Sequence, residues 1–248
     1  MAIFDFVPGI EVTVCVDGQP LPEFDDDDDS AKLAQAHSPQ SLEEYCAKRT
    51  VSRYVQSIDD KDFTVRCEIR PPYQMDCPGL AIFLEVDHRH IDGRWIMKNG
   101  ANSVEMKGLT TGARGTEVFQ PIKFTKIKLA TGKDMDSSQI KKDSELMSKV
   151  GTIVIEIFRA EVDASKAPRT GNGKLGIDAS GEVDEKSLKG DAKSHRAGFG
   201  RPKPAPPSRT TEPKYLDGPD YPLAIFKFKY RSEGMHHVPY EPSITLSI

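Results

Sequence analysis

The chain has little of what a membrane or secreted protein carries in its sequence. No apolar run in its 248 residues approaches the roughly 20 residues that cross a bilayer. The segment Met1–Phe6 lacks the basic region and the long apolar region of a signal peptide. We therefore expect an intracellular protein, in the cytoplasm or the nucleus, with no membrane contact.

Cysteine is scarce, and its spacing argues against a disulfide scaffold. The four cysteines have no close paired spacing: Cys15, Cys46, Cys67 and Cys77. Cys67 falls on the apolar row of a predicted strand, where a free cysteine behaves as a small hydrophobic residue. We expect free thiols in a reducing compartment.

An excess of charge of one sign is also missing. The formal net charge is -4 and the isoelectric point is about 5.9. Such a chain has no general electrostatic attraction for nucleic acid or for an anionic membrane. Any contact of that kind must be local.

The chain instead contains many short segments that alternate apolar and polar residues. Successive strand side chains point to opposite faces, so residues 10–16 and 63–69 each bury one row and expose the other. Turn residues separate these segments, which predicts an all-β fold, an antiparallel β-sandwich of jelly-roll or immunoglobulin-like type. Further strands are predicted at residues 50–58, 80–86, 94–98, 117–127, 151–162 and 223–231.

Two of these segments indicate where the core lies. The run Thr152–Phe158 is apolar on both faces except at Thr152 and Glu156, which predicts a central strand covered on each side. The segment Leu223–Tyr230 places aromatic residues on one face, which predicts a strand that closes the core.

Loops and helices complete the predicted organisation, which is one domain over residues 1–248. Residues 19–45 are predicted as an exposed acidic loop. Residues 163–221 are rich in proline, lysine and glycine and are predicted as a largely disordered excursion before a final core strand at 222–231. Short helices are predicted at Ser138–Lys149 and Val183–Lys193.

Signatures of catalysis are missing too. No G-x-S-x-G nucleophile elbow occurs in the chain. Ser194 and His195 are neighbours on a segment predicted to be flexible, which does not hold a hydroxyl against an imidazole. We predict no catalytic residue and no cofactor, and our leading hypothesis is a non-enzymatic interaction module.

One group of residues suggests a metal. His88 and His90 are two positions apart, so on a strand their imidazoles share a face, and Asp92 follows. The dipeptide Asp92-Gly93 also favours a hairpin turn, whose polar residues need no metal. The second hypothesis is a metal- or ligand-binding barrel that uses these three residues. One form of this hypothesis makes the barrel an enzyme.

A third hypothesis is a nuclear protein that contacts histones or DNA. Gly200-Arg201-Pro202 is similar to the core of an AT-hook, in which an extended arginine enters the minor groove of A·T-rich DNA. Asp25–Asp29 forms an acidic run that charge repulsion is expected to keep extended and solvated. Such a run favours a basic partner.

Several segments, taken together, resemble a known family. They follow one another in a fixed order: Gly9–Phe24, Arg53–Val55, Asp62–Arg66, Val150–Arg159, Leu188–His195 with Phe199-Gly200, and Phe226–Ser232. This set is similar to an uncharacterised family of fungal proteins that carry a domain of unknown function. The resemblance implies a fungal source and one continuous domain whose last strand follows a linker.

The same resemblance bears on the candidate interaction residues. It implies that part of Leu188–Gly200 docks on the sandwich, where Ser194-His195 caps a sheet edge or forms an interaction site. The candidates for contact with an unknown protein partner are Ser194, His195, Phe199 and Arg201. The family brings no catalytic residue with it.

Overall fold

Strands dominate the computed structural model, which describes residues 2–3, 7–26, 41–113, 115–130, 144–145, 147–148, 150–162, 183–184, 194–206 and 213–232. The helix α1 covers Leu42–Ala47, and the described residues among 144–148 are also helical. The strands are β1 (Ala2–Ile3), β2 (Ile10–Val16), β3 (Gln19–Pro20), β4 (Glu23–Asp25), β5 (Thr50–Gln56), β6 (Phe63–Ile69), β7 (Gly79–Val86), β8 (Arg89–Met97), β9 (Ser103–Met106), β10 (Gly108–Thr111), β11 (Val118–Lys126), β12 (Leu129–Ala130), β13 (Thr152–Val162), β14 (Val183–Asp184), β15 (His195–Phe199), β16 (Lys203–Pro204), β17 (Pro213–Tyr215) and β18 (Ala224–Arg231).

These strands form two large sheets and two smaller ones. The seven-stranded sheet has the order β4-β5-β18-β13-β7-β8, with β17 beside the end of β13. The five-stranded sheet has the order β1-β2-β6-β9, with β3 beside β2. A third sheet has the order β10-β11-β15, with β16 beside β11, and β12 pairs with β14.

The main core lies between the large sheets and follows the period-two pattern. Val12 pairs with Cys67 and Val14 with Val65 across β2 and β6, and all four side chains are buried. The same hydrophobic cluster contains the alternate isoleucines of β13: Ile153, Ile155 and Ile157. The predicted all-β sandwich is confirmed, and the sheets formed by the described strands do not close into a barrel.

The last described strand lies inside the seven-stranded sheet rather than at its edge. β18 pairs antiparallel with β13 and parallel with β5. Phe226, Phe228 and Tyr230 are buried on its inner face, as the aromatic row of the sequence predicts. The parallel pair differs from the antiparallel hairpins expected by default, because β5 and β18 are joined through the rest of the fold and not by a turn.

The predicted loop at residues 19–45 is wrong at both of its ends. Residues 19–20 and 23–25 form β3 and β4, and residues 42–45 belong to α1. Ser41 caps α1, because its Oγ accepts a hydrogen bond from the Glu44 backbone N–H at 3.2 Å. Residues 27–40 lie outside the described residues.

No helix among the described residues is long and apolar enough to cross a membrane.

The predicted excursion at residues 163–221 also contains strands. β14, β15, β16 and β17 all fall within it, so the prediction of disorder is wrong at these residues. β15 is ordered because all five of its residues pair with β11, from Ile122 opposite Phe199 to Lys126 opposite His195. The helix predicted at Val183–Lys193 is wrong at its first two residues, which form β14, and its remainder lies outside the described residues.

Candidate functional site

His195, the first residue of β15, lies at the centre of a polar cluster. Its side chain is buried, with 4% of the residue exposed. Nδ1 lies 2.8 Å from Ser194 Oγ and 3.0 Å from Ser57 Oγ, and Nε2 contacts Asp59 Oδ1. We call Ser57, Asp59, Lys126, Ser194 and His195 the His195 cluster.

Asp59 sets the proton positions of this cluster. Hydrogen bonds from Lys126 and from His195 hold the pKa of its carboxyl below the usual range. The ionised carboxylate accepts a hydrogen bond from Nε2–H of His195. In the neutral imidazole Nδ1 is then the acceptor, and the hydroxyls of Ser57 and Ser194 share it.

The cluster joins two sheets. The Ser57 backbone N–H donates to Arg231 O at 2.7 Å, at the end of β18. Lys126 is the partner of His195 in the β11–β15 ladder. The cluster therefore fastens β15 and β11 to the end of the seven-stranded sheet, which agrees with a docked Ser194-His195 pair.

The argument that neighbours in sequence do not hold a hydroxyl against an imidazole is wrong for this pair. Pairing of β15 with β11 orders the backbone, and Ser194 Oγ reaches Nδ1 of the next residue. The carboxylate, imidazole and hydroxyl therefore form a continuous chain of hydrogen bonds, as in the triads that activate serine nucleophiles but with the two ring nitrogens exchanged. Ser57 is 4% exposed, whereas Ser194 is partly exposed and is the hydroxyl that a substrate can reach.

Asp87 forms a second polar centre, in the turn between β7 and β8. Asp87 and His88 have φ of 50° and 57°, the left-handed conformation that aspartate tolerates better than most residues. The carboxylate accepts hydrogen bonds from the backbone N–H groups of Gly151 at 2.7 Å, Thr152 at 3.2 Å and Ala197 at 2.8 Å. The Tyr230 hydroxyl also donates, at 2.6 Å and 2.8 Å to the two oxygens.

These contacts make Asp87 a structural centre. It connects the β7–β8 turn to β13, β15 and β18 through one carboxylate. Burial raises the pKa of Asp87, and the four donors oppose that shift. Burial, with Asp87 beside it, also raises the pKa of Tyr230 well above its ordinary value.

The three metal candidates are spread along the same hairpin. The turn lies at Asp87-His88, so the turn predicted at Asp92-Gly93 is wrong, and both residues belong to β8. His88 Nδ1 lies 3.6 Å from Glu85 Oε1, the His90 ring lies 6.0 Å from that of Phe83, and Asp92 accepts from Arg94 Nε at 2.8 Å. No group of three His, Cys, Asp or Glu side chains in the described ranges is placed to hold a metal ion.

Phe199 and Arg201 lie at the other end of β15. Phe199 is half-buried against the main core, and Arg201 is exposed. The Gly200 N–H donates to Pro121 O at 2.8 Å, and a Cβ at Gly200 would stand 2.7 Å from Pro121 Cγ. Glycine is therefore required here for the close approach to β11. Of the two residues, only Arg201 is free of the sandwich surface.

The acidic run begins inside the fold. Asp25 forms an ion pair with Arg53 at 3.2 Å. Asp26 is buried, accepts from Ser52 Oγ at 2.5 Å and pairs with Lys229 Nζ at 2.6 Å. The expectation of a solvated Asp25–Asp29 is wrong at Asp26, because Lys229 compensates its charge. Residues 27–29 lie outside the described residues.

The outer face of the seven-stranded sheet carries a second hydrophobic cluster. Its buried members Ala81, Phe158 and Ala160 alternate with the core residues of β7 and β13. Phe83, Trp95 and Tyr215 are half-buried against them. We call these six residues the aromatic face. The expectation that β13 is covered on both sides therefore holds at Phe158 and Ala160, which are buried, and is wrong at Thr152, Val154 and Glu156, which are partly exposed.

Glu156 lies at the edge of the aromatic face. It is half-buried on β13, with Phe83 opposite on β7 and Ile225 opposite on β18. Burial, and the negative charge of Glu85, raise the pKa of its carboxyl. Among the described residues nothing donates a hydrogen bond or an ion pair to it. The outer face thus combines aromatic rings with an uncompensated carboxylate.

The fold and these centres coincide with one family model. The model of a domain of unknown function, DUF7918, matches residues 9–235, a range that contains the His195 cluster, Asp87 and the aromatic face. The chain belongs to this family. The predicted membership of a family with a domain of unknown function is thereby confirmed. No curated protein and no solved structure matches the chain.

Sequence analysis of this DUF7918 chain missed most partners of His195. Ser57 and Asp59 lie 138 and 136 residues away, and no local pattern connects them. The aromatic face was missed as a surface. The run Thr152–Phe158 contained a signal for this surface, because a strand that is apolar on both faces needs cover on both. In the structure, the described residues leave the outer side partly open.

Proposed function

We propose that this DUF7918 protein is a non-enzymatic interaction module that holds a protein partner on the outer face of its seven-stranded sheet. The aromatic face is the observation that supports this proposal. It presents Phe83, Trp95 and Tyr215 partly exposed on strands, with Met97 beside them at 41% exposure. Monomeric proteins seldom expose contiguous apolar patches without a use for them.

The composition of this surface also favours a protein partner. Aromatic residues and methionine are enriched at the centres of protein interfaces, where they supply most of the binding energy. The side chains project from β7, β8, β13 and β17, so binding needs no reordering of a loop. The buried free thiols of Cys15, Cys67 and Cys77 support a reducing, intracellular site of action.

Site-specific photocrosslinking tests this proposal. A photoreactive phenylalanine analogue replaces Met97 in one variant and Ile58, exposed to a similar 38%, in the matched control. In the cells that produce the protein we expect one saturable crosslinked protein from position 97 only, competed by an excess of the unmodified chain. No product at position 97, or the same products at both positions, contradicts the proposal.

A second candidate function, acyl transfer by Ser194, is favoured by the hydrogen-bonded chain through the His195 cluster. In that function Asp59 orients the imidazole, and Nδ1 of His195 takes the hydroxyl proton of Ser194. A fluorophosphonate probe tests it, because attack by Oγ forms a phosphonyl ester and releases fluoride. Labelling that Ser194→Ala abolishes and Ser57→Ala retains supports the enzyme, and an unlabelled native chain rejects it.

A further inference from the structure

We propose that the aromatic face recognises a basic peptide segment of its partner, and that Glu156 receives the charge of a lysine side chain there. This inference rests on the proposed function and specifies the chemistry of the partner. It makes Glu156 the charged subsite and the neighbouring rings its apolar walls.

Three rings stand together beside Glu156. The Phe83 and Phe158 centroids are 5.9 Å apart, those of Phe158 and Tyr215 are 4.9 Å apart, and those of Phe83 and Tyr215 are 6.5 Å apart. Glu156 is the register partner of Phe83 and is two residues before Phe158 on β13, so its carboxylate adjoins two of the three rings. An ammonium group is attracted by ring faces as well as by a carboxylate.

Among the residues that the structure describes, none supplies a cation to the carboxylate of Glu156. Lys227 lies on the same face, opposite Val154, but it forms no ion pair with Glu156. The charged residue that does affect Glu156 is Glu85, which is also negative. A half-buried carboxylate without a partner destabilises the free protein. A bound cation would relieve that cost, so the arrangement is complementary to a positive ligand.

The shape of the surface favours a peptide over a small amine. Trp95 and Met97 extend the apolar area along β8, beyond the reach of a single ammonium group at Glu156. An extended segment places alternate side chains on one face about 7 Å apart. When one lysine of the peptide lies at Glu156, the apolar side chains two positions away from it lie over Phe83 and Trp95. Nucleic acid is disfavoured, because Glu85 and Glu156 repel phosphate.

The single tryptophan of the chain reports on this surface directly. Trp95 belongs to the aromatic face, and the sequence contains no other tryptophan. The full chain is titrated with an acetylated and amidated peptide, Leu-Ser-Lys-Ser-Leu-Ser-Lys-Ser-Leu, whose lysine and leucine side chains alternate along one face when it is extended. The control peptide has glutamate in place of lysine. We expect a saturable change in fluorescence with the lysine peptide only, and a change that grows weaker with added salt.

Two variants make the test specific for Glu156. Glu156→Gln keeps the shape of the side chain and is expected to weaken binding about tenfold, equivalent to ~1.4 kcal/mol. Glu161→Gln removes a charge from the same strand, where Lys214 already pairs with it at 2.9 Å, and is expected to bind as the native chain does. Melting curves of both variants show whether each is folded.

The outcomes separate this inference from the proposed function. A native chain that does not respond to the lysine peptide, or a Glu156→Gln variant that binds it equally well, overturns the charged subsite. If position 97 still crosslinks a saturable partner in that case, the interaction face stands without a lysine at Glu156. If position 97 also gives no product, the proposed function fails as well.

Discussion

Asp87 and Glu156 are both carboxylates of the seven-stranded sheet, and both have a pKa raised by burial. Their surroundings differ. Asp87 receives hydrogen bonds from three backbone N–H groups and from the Tyr230 hydroxyl. Glu156 receives none from the residues that the structure describes, although aromatic rings and Glu85 surround it.

This difference separates a carboxylate that builds the fold from one that, in the proposed function, is available for recognition. Removing Asp87 leaves several donors without an acceptor, so the fold loses stability. Removing the charge of Glu156 leaves no donor unsatisfied among the residues that the structure describes. A residue whose charge costs stability and whose removal leaves the fold intact is a typical binding residue.

The largest effect is expected at Asp87. Asp87→Ala leaves the N–H groups of Gly151, Thr152 and Ala197 and the Tyr230 hydroxyl without their acceptor, and we expect a loss of roughly 3 kcal/mol or more in the free energy of unfolding. Asp87→Asn tolerates the positive φ and keeps one acceptor oxygen, so its loss is expected to be smaller. Urea unfolding measures both. Equal stability of Asp87→Ala and the native chain would contradict the role of Asp87.

An intermediate effect with a defined pH dependence is expected at Asp59. Because the pKa of Asp59 is lower in the folded than in the unfolded chain, its contribution to stability is present above the unfolded pKa and is lost as pH falls through the folded pKa. Asp59→Asn is therefore expected to lower the melting temperature at pH 7, by an amount that shrinks progressively as pH falls below the unfolded pKa of about 3.9. A difference from the native chain that stays constant across this pH range would show that the charge of Asp59 is not the cause.

The smallest effect, of opposite sign, is expected at Glu156. Its folded pKa is raised, so the native chain loses stability as pH rises through that pKa, and Glu156→Gln removes this loss. We expect the variant to be more stable at pH 7 by roughly a few tenths of a kcal/mol, and the gain to vanish below pH ~4. Glu85, Lys227, Tyr215 and Cys46 are the other titratable groups around this position in the described part of the chain. Glu161→Gln is the matched control, because Lys214 pairs with Glu161 at 2.9 Å. A Glu156→Gln variant that is less stable than the native chain at pH 7 would show that the charged carboxylate has a stabilising partner, which contradicts this prediction.

Sequence periodicity predicted the inner faces of the strands, because alternation depends only on neighbours along the chain. It identified Val12, Cys67 and Phe226 as buried. It did not predict that β18 lies parallel to β5, since a pattern with period two carries no information about the partner strand. Ser41 and Glu44 have the spacing of a capping box, which predicts the start of α1. The segment was nevertheless assigned to a loop.

The polar centres were harder to predict for a physical reason. His195 and Ser194 were selected as a pair, yet the meaning of the pair depends on Ser57 and Asp59, which only the folded chain brings near. Asp87 directly precedes the metal candidates His88 and His90, whereas its own partners are backbone N–H groups, which have no signature in a side-chain pattern. Glu156 was seen as an exception in an apolar run. Its lack of a partner is visible only from neighbouring strands.

The position of β18 has a consequence for synthesis on the ribosome. β5 and β13 leave the ribosome before β18, which fits between them, is made. Until it arrives, each of those strands presents an unpaired edge and an uncovered inner row, the features that recruit chaperones or cause chains to aggregate. The growing chain therefore passes through a period in which β5 and β13 are both present but the strand that joins them in the sheet is not. A ribosome that pauses between the codons for residues 162 and 224 would lengthen that period, and the yield of folded protein would fall without any change in the sequence.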